Sequence, residues 1–144
     1  MRYRKLKGYK YLLLDRYVHE GLLPFADMRV GNEFCNIERG FLYIRPGYAW
    51  DGPSGPTIDT DDFMAGSLVH DALYQLMREG LLDIRHRKYA DELLRDICIA
   101  EGMPKWRAWY VYHSVRLFAK NSAVKANGRG RVVEMEVKSS KFKM

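Results

Sequence analysis

Apolar residues return every three or four positions between residues 60 and 80. Phe63, Met64, Leu68, Val69, Ala72, Leu73, Leu76 and Met77 share one side of a helical wheel, which predicts a helix of about four turns. Thr60 is placed to cap its start, Asp61 and Asp62 suit the positive end of the helix dipole, and Gly80 can close the far end. A second helical pattern covers 89–100, with Ala90, Leu93, Leu94, Ile97 and Ala100 on its apolar side and Asp91 at the margin. Gly102 then breaks the chain, and Pro104 suits the first turn of a third helix, from 106 to about 120, that carries Trp106, Trp109, Tyr110, Tyr112, Val115, Leu117 and Phe118.

The first sixty residues follow a different period. Residues 9–18 are compatible with a strand, although 12–14 could also open a short helix, and 33–37 with 41–45 form a hairpin around Glu38, Arg39 and Gly40. Residues 131–138 alternate well enough for a further strand, and the last few residues are expected to be mobile. The expectation is an α+β fold: N-terminal strands and a hairpin, then a three-helix core built on an antiparallel helix pair, then a basic tail. One domain accounts for 1–144, divided into a β-rich part with a glycine-rich loop (1–58), a helical core (59–120) and the tail (121–144).

Composition narrows the setting. The chain has 144 residues, 47% of them hydrophobic, and no apolar run approaches the length of a membrane span. This predicts a soluble globular protein without a transmembrane segment. The apolar run 11–14 is too short for a signal-peptide core and is followed at once by Asp15 and Arg16, so export by the general route is not expected. Cys35 and Cys98 are too few and too distant to suggest a disulfide framework. The net charge of +6 favours anionic partners, phospholipid headgroups or nucleic acid. No recognised nucleic-acid motif accompanies it. The aromatic third helix, flanked by Lys105, Arg107, Arg116 and Lys120, has the composition of a lipid-interface helix, but it reads first as a core helix covering the helix of His70 and Asp71, with His113 a satisfied structural histidine.

One cluster does not fit a purely structural pattern. His70, Asp71 and Tyr74 interrupt the apolar run of the first helix. His70 and Tyr74 are four positions apart and lie one above the other, while Asp71 is turned by about 100° onto the next strip. If the first two helices pack antiparallel across the turn containing Gly80 and Asp83, Asp91 reaches the imidazole of His70. A carboxylate on one imidazole nitrogen fixes the tautomer and leaves the other free to accept a proton, a general-base dyad. The same residues can equally tie two helices together as a satisfied buried network. A metal phosphohydrolase of the His-Asp class would need further ligands, and His19, His86 and His113 lack the spacing. Upstream, the loop 47–57 is rich in Gly and Pro, and Gly52 and Gly55 with the oxygen of Asp51 can form a concavity for a hard cation such as calcium. Turn formation without a ligand uses the same composition.

The order of these motifs resembles two families. The glycine-rich loop, His70-Asp71-x-x-Tyr74 and a following helix with Asp91 resemble the phospholipase A2 active site. The stretch from about 43 to 100, with its Pro-Gly-Tyr-x-x-Asp-Gly-x-Ser loop, His-Asp-x-Leu-Tyr helix and Ala-Asp helix, more closely resembles the domain-of-unknown-function 1353 family of phages and prophages. The second resemblance implies a phage or prophage origin and carries no settled activity. The first implies an ester hydrolase in which His70 activates water, Asp91 orients the imidazole and Tyr74 hydrogen-bonds Asp91. It also implies that Asp71 binds calcium together with backbone carbonyls drawn from Trp50, Gly52 and Ser54 or Gly55. Ser67, Leu68 and Leu73 stand where secreted phospholipases place disulfide cysteines, and Pro53 and Pro56 remove two N–H donors from the loop. The alternative expectation is therefore a non-catalytic virion part or host-directed binding protein that keeps the scaffold.

Overall fold

Residues 35 to 44 set the pattern of the N-terminal half. Along Cys35–Glu38 the buried Cys35 and Ile37 alternate with exposed Asn36 and Glu38, and along Phe41–Ile44 Leu42 and Ile44 point inward. Joining the two strands, Arg39 and Gly40 both take positive φ, 49° and 81°. Two consecutive left-handed residues make the tight hairpin turn whose twist matches that of the strands.

The computed structural model describes residues 1–6, 10–51 and 60–124. In chain order the strands are β1 (Tyr3–Lys5), β2 (Tyr11–Leu13), β3 (Tyr17–His19), β4 (Arg29–Gly31), β5 (Cys35–Glu38), β6 (Phe41–Ile44) and β7 (Ala49–Trp50). They form two antiparallel sheets, ordered β1-β2-β7 and β3-β6-β5-β4. The single strand expected over 9–18 is instead two strands in different sheets, and residues 12–14 open no helix. The break falls at a bend at Asp15, whose carboxylate takes two hydrogen bonds of 2.7 Å from Arg2. The strand expected over 131–138 and the mobile C-terminus lie outside the described residues, as does Tyr9.

Three main helices follow: α1 (Asp61–Arg78), α2 (Arg87–Ala100) and α3 (Lys105–Phe118), with a final turn α4 (Lys120–Ala123). Thr60 has the extended backbone of an N-cap, but its hydroxyl donates to Asp62 rather than accepting from a helix N–H. At the other end Gly80, with φ of 78°, lets its own N–H reach the Met77 carbonyl and that of Leu81 reach the Leu76 carbonyl, the paired closure that glycine permits. Asp83 then starts a 3₁₀ turn by accepting from the Arg85 N–H, and α2 begins at Arg87, two residues before the periodicity predicts.

The first two helices run antiparallel and very close. A Cβ built on Gly66 would lie 2.8 Å from Cys98 Sγ, 3.0 Å from Leu94 Cδ1 and 3.2 Å from the Leu94 carbonyl oxygen. The missing side chain is thus what brings the backbones together one turn before His70. α3 covers α2 rather than α1, and it buries only Ala108, Val111, Tyr112 and Val115. Trp106, Trp109, Tyr110, Leu117 and Phe118 are exposed, and so is His113. The reading of α3 as a core helix holds for one face only, that face packs on α2 rather than on the helix of His70, and the exposed His113 is not a buried structural histidine. Among the described residues no helix is long and apolar enough to cross a membrane.

Gly66→Ala gains about 1 kcal/mol of helix propensity but must separate two helices in a packed core, which costs about 1–3 kcal/mol. We expect a net loss of stability of about 1 kcal/mol, read from urea unfolding midpoints; a stabilised variant would show that the crossing is looser than described.

Candidate functional site

Burial of a carboxylate creates the site. Asp91 has no exposed surface, and an ionised group there is tolerated only if its oxygens are filled by donors. Its Oδ1 lies 2.7 Å from His70 Nε2 and accepts from the Tyr74 hydroxyl at 2.6 Å. Its Oδ2 accepts from Arg116 Nη1 at 2.8 Å, with Arg87 Nε 4.0 Å away. Arg87 in turn donates to the Tyr74 oxygen at 3.0 Å and to the backbone carbonyls of Val115 and Arg116, both at 2.8 Å. His70 and Tyr74 come from α1, Arg87 and Asp91 from α2, and Arg116 from α3, so one network joins all three helices.

These contacts fix the protonation pattern. Burial works to raise the Asp91 pKa, but hydrogen bonds from His70, Tyr74 and Arg116 outweigh it and hold the carboxyl below its ordinary value. An ionised Asp91 only accepts, so His70 Nε2 carries a proton and Nδ1 is the nitrogen open to further proton transfer. For His70, burial favours the neutral ring, yet Asp71 and Asp91 together leave its pKa raised. Tyr74 is pushed well up by burial and by the adjacent Asp91 charge, which keeps it a donor.

Nδ1 lies 3.9 Å from Asp71 Oδ1. That is too long for a direct hydrogen bond and suits a shared water. Both residues line a cavity of about 290 Å³, together with Tyr48, Trp50, Tyr74 and Val115. Asp71 is partly exposed, its Oδ2 accepts from the Asp51 N–H at 3.2 Å, and its pKa is raised by burial, against the pull of His70, and further by the charge of Asp51. The two acids nearest the imidazole therefore shift in opposite directions.

The donor set can be tested against a hard cation. Asp71 and the exposed Asp51 are neighbours, the Asp51 N–H donating to Asp71 Oδ2, and a divalent ion would favour the ionised form of Asp71 against the burial that mainly raises its pKa and the smaller effect of the Asp51 charge. Among the described residues no group of three or more His, Cys, Asp or Glu side chains gathers to hold a metal. The described donors fit calcium only where oxygens other than side chains complete the shell. Gly52, Ser54 and Gly55 lie outside the described residues. Trp50, a proposed carbonyl ligand, has a buried indole whose N–H donates to the Ser67 hydroxyl at 3.1 Å, fixing β7 onto α1.

Sequence reasoning brought His70, Tyr74 and Asp91 together but missed Arg87 and Arg116. Arg87 precedes Asp91 by four residues, the spacing of a helical ion pair, which was the available signal. Arg116, which the sequence shows only as a cation flanking the aromatic helix, turns inward to Asp91, while Arg107 binds the Thr60 hydroxyl and lies 3.9 Å from Asp62. Cys35 and Cys98 are buried free thiols pushed up by burial to about 12, which removes them as nucleophiles at neutral pH. No protein-family model, no curated protein and no solved structure matches the chain.

The lowered Asp91 pKa contributes stability that is present above the unfolded carboxylate value and lost as pH falls through the native one. Asp91→Asn, which leaves Arg116 without its counter-charge, is expected to cost about 3 kcal/mol at pH 7. The deficit should shrink below about pH 4. Urea unfolding at pH 7 and pH 3 measures both, and an equal deficit at the two values would deny the carboxylate its charge in the native state.

Proposed function

We propose that the chain is a phage or prophage protein, acting in the host cytoplasm or as part of a virion, with a phospholipase A2-like site that hydrolyses a lipid ester. The observation that carries this reading is the 2.7 Å contact between His70 Nε2 and Asp91 Oδ1 at the wall of a cavity that also holds Asp71. His70 Nδ1 takes a proton from a water shared with Asp71, and the hydroxide attacks the ester carbonyl. The imidazolium then returns the proton to the departing alkoxide, so the ring ends as it began. Asp91 orients the ring and stabilises its charged form, and Tyr74, Arg87 and Arg116 hold Asp91 in place. Asp71 and Asp51, with carbonyl oxygens of the loop, are the residues that would hold calcium, which when bound supplies a Lewis acid for the carbonyl oxygen.

A second reading is a non-catalytic virion component or host-directed binding protein in which the same network is a structural tie. The saturation of Asp91 by donors from the two helices on either side of it favours it.

Release of fatty acid from phospholipid vesicles with calcium present separates the two. His70→Ala should lower the rate by about a hundredfold or more, and Asp71→Asn should raise the calcium requirement at least about tenfold. A variant lacking His70 that hydrolyses at the unaltered rate, or a wild-type chain inert on every ester offered, would leave the structural tie.

The pH profile carries its own sign. A general base works unprotonated, and the His70 pKa is raised, so hydrolysis should climb with pH through a midpoint above 6.5. A midpoint below that value would mean that the neighbouring carboxylates do not govern the ring.

A further inference from the structure

The outer surface of α3 breaks the rule that a helix turned to water is polar there. Ala108, Val111, Tyr112 and Val115 form its buried stripe. Directly opposite, at successive spacings of four, three and four, stand Trp106, Tyr110, His113 and Leu117, so the solvent side carries a stripe of large, mainly apolar side chains interrupted by His113. Trp106 is 74% exposed and Leu117 73%, and Phe118 at the end of the helix is 79% exposed. Trp109 adds to the same side, its ring face covered by the Arg95 guanidinium at 4.6 Å. A contiguous set of large apolar side chains of this size marks a surface that another phase or molecule covers.

Charge selects the occupant. From 102 to 133 the sequence holds no Asp or Glu. Lys105 and Lys120, both exposed, flank the two ends of the stripe. Arg107 and Arg116 are engaged with Asp62 and Asp91, so these two lysines form the cationic rim. Pairing with a second copy about a two-fold axis would bring lysine toward lysine in either orientation, Lys105 toward Lys120 if the helices run antiparallel and each toward its own counterpart if they run parallel. A surface of anionic headgroups over acyl chains meets both features at once, because Trp and Tyr settle at the headgroup level, Leu and Phe reach below it, and lysines keep their ammonium groups among the phosphates.

We propose that α3 is a docking helix that lies in the surface of an anionic phospholipid bilayer through Trp106, Tyr110 and Leu117. The choice of lipid over a protein partner rests in part on the lipid-ester reading of the cavity, which α3 lines from its inner side with Val111, Ser114 and Val115. Docking would set a lipid surface on one side of α3 and the imidazole on the other.

The test uses the full-length chain carrying His70→Ala, so that no turnover alters the vesicles. Partition is measured by co-sedimentation with phosphatidylglycerol vesicles and with phosphatidylcholine vesicles, and by the shift of tryptophan emission. The expected result is binding to phosphatidylglycerol that weakens with salt, little binding to phosphatidylcholine, and a loss of about tenfold or more when Trp106→Gln and Leu117→Gln are added, as withdrawal of two large apolar groups from the interface requires. Both positions are exposed, so the variant keeps its core, which circular dichroism checks. Equal binding by the variant, binding indifferent to headgroup charge, or no binding to either vesicle overturns the proposal. Concentration-dependent self-association that the variant abolishes, without vesicle binding, assigns the face to a second copy and overturns it too. The hydrolase reading fails separately: a wild-type chain that docks and releases no fatty acid sinks that reading alone, whereas one that cleaves dispersed monomeric esters without docking sinks this one alone.

Discussion

A single carboxylate with no water around it organises the helical half of this protein. Asp91 sits where a charge costs several kcal/mol unless it is answered, and the answers come from His70 and Tyr74 on one neighbouring helix and Arg116 on the other. Each of those helices must therefore adopt one rotation and one height relative to α2. Apolar packing alone tolerates sliding; a hydrogen bond of 2.6 to 2.8 Å does not. The network defines the geometry as well as contributing to its stability.

The close crossing at Gly66 and the buried acid work as a pair. Gly66 lets α1 approach Leu94 and Cys98, and the approach puts the His70 ring within direct reach of the carboxylate one turn later. With a wider separation, a water would have to bridge the two and the tautomer would no longer be fixed by the protein. Around the same ring, Asp91 is held ionised by its donors whereas Asp71, at the cavity, is raised by burial and by Asp51. Unequal environments leave two chemically identical side chains in different states: one is held against the ring and the other lines the cavity.

Much of this was legible in the residue order. The three helices, the hairpin and the meeting of His70 with Asp91 follow from period, capping residues and the short turn through Gly80 and Asp83. What escaped was information carried by partners distant in sequence. Residues 9–18 were compatible with one strand, but a bend at Asp15 separates two strands that join different sheets, a pairing set by partners far along the chain. Arg116 looked like a surface cation because nothing local distinguishes an arginine that reaches inward from one that reaches out. The aromatic residues of α3 looked like core for the same reason: composition alone does not reveal which side of a helix its neighbours occupy, and here both sides are apolar. Gly66 gave no sequence signal, since a glycine within a helical pattern is read as a cost until the facing backbone is known.

The position of Cys98 beside Gly66 has a practical corollary. A thiol pushed up to about 12 is ionised in roughly one molecule in a hundred thousand at pH 7, so electrophiles and oxidants encounter almost no reactive sulfur while α1 and α2 stay together. Any event that pries these helices apart would return the sulfur to water and to an ordinary rate of alkylation. The rate at which a maleimide or iodoacetamide consumes Cys98 thus becomes a clock for the opening of the very seam that holds the imidazole against its acid, written into the chain without a label.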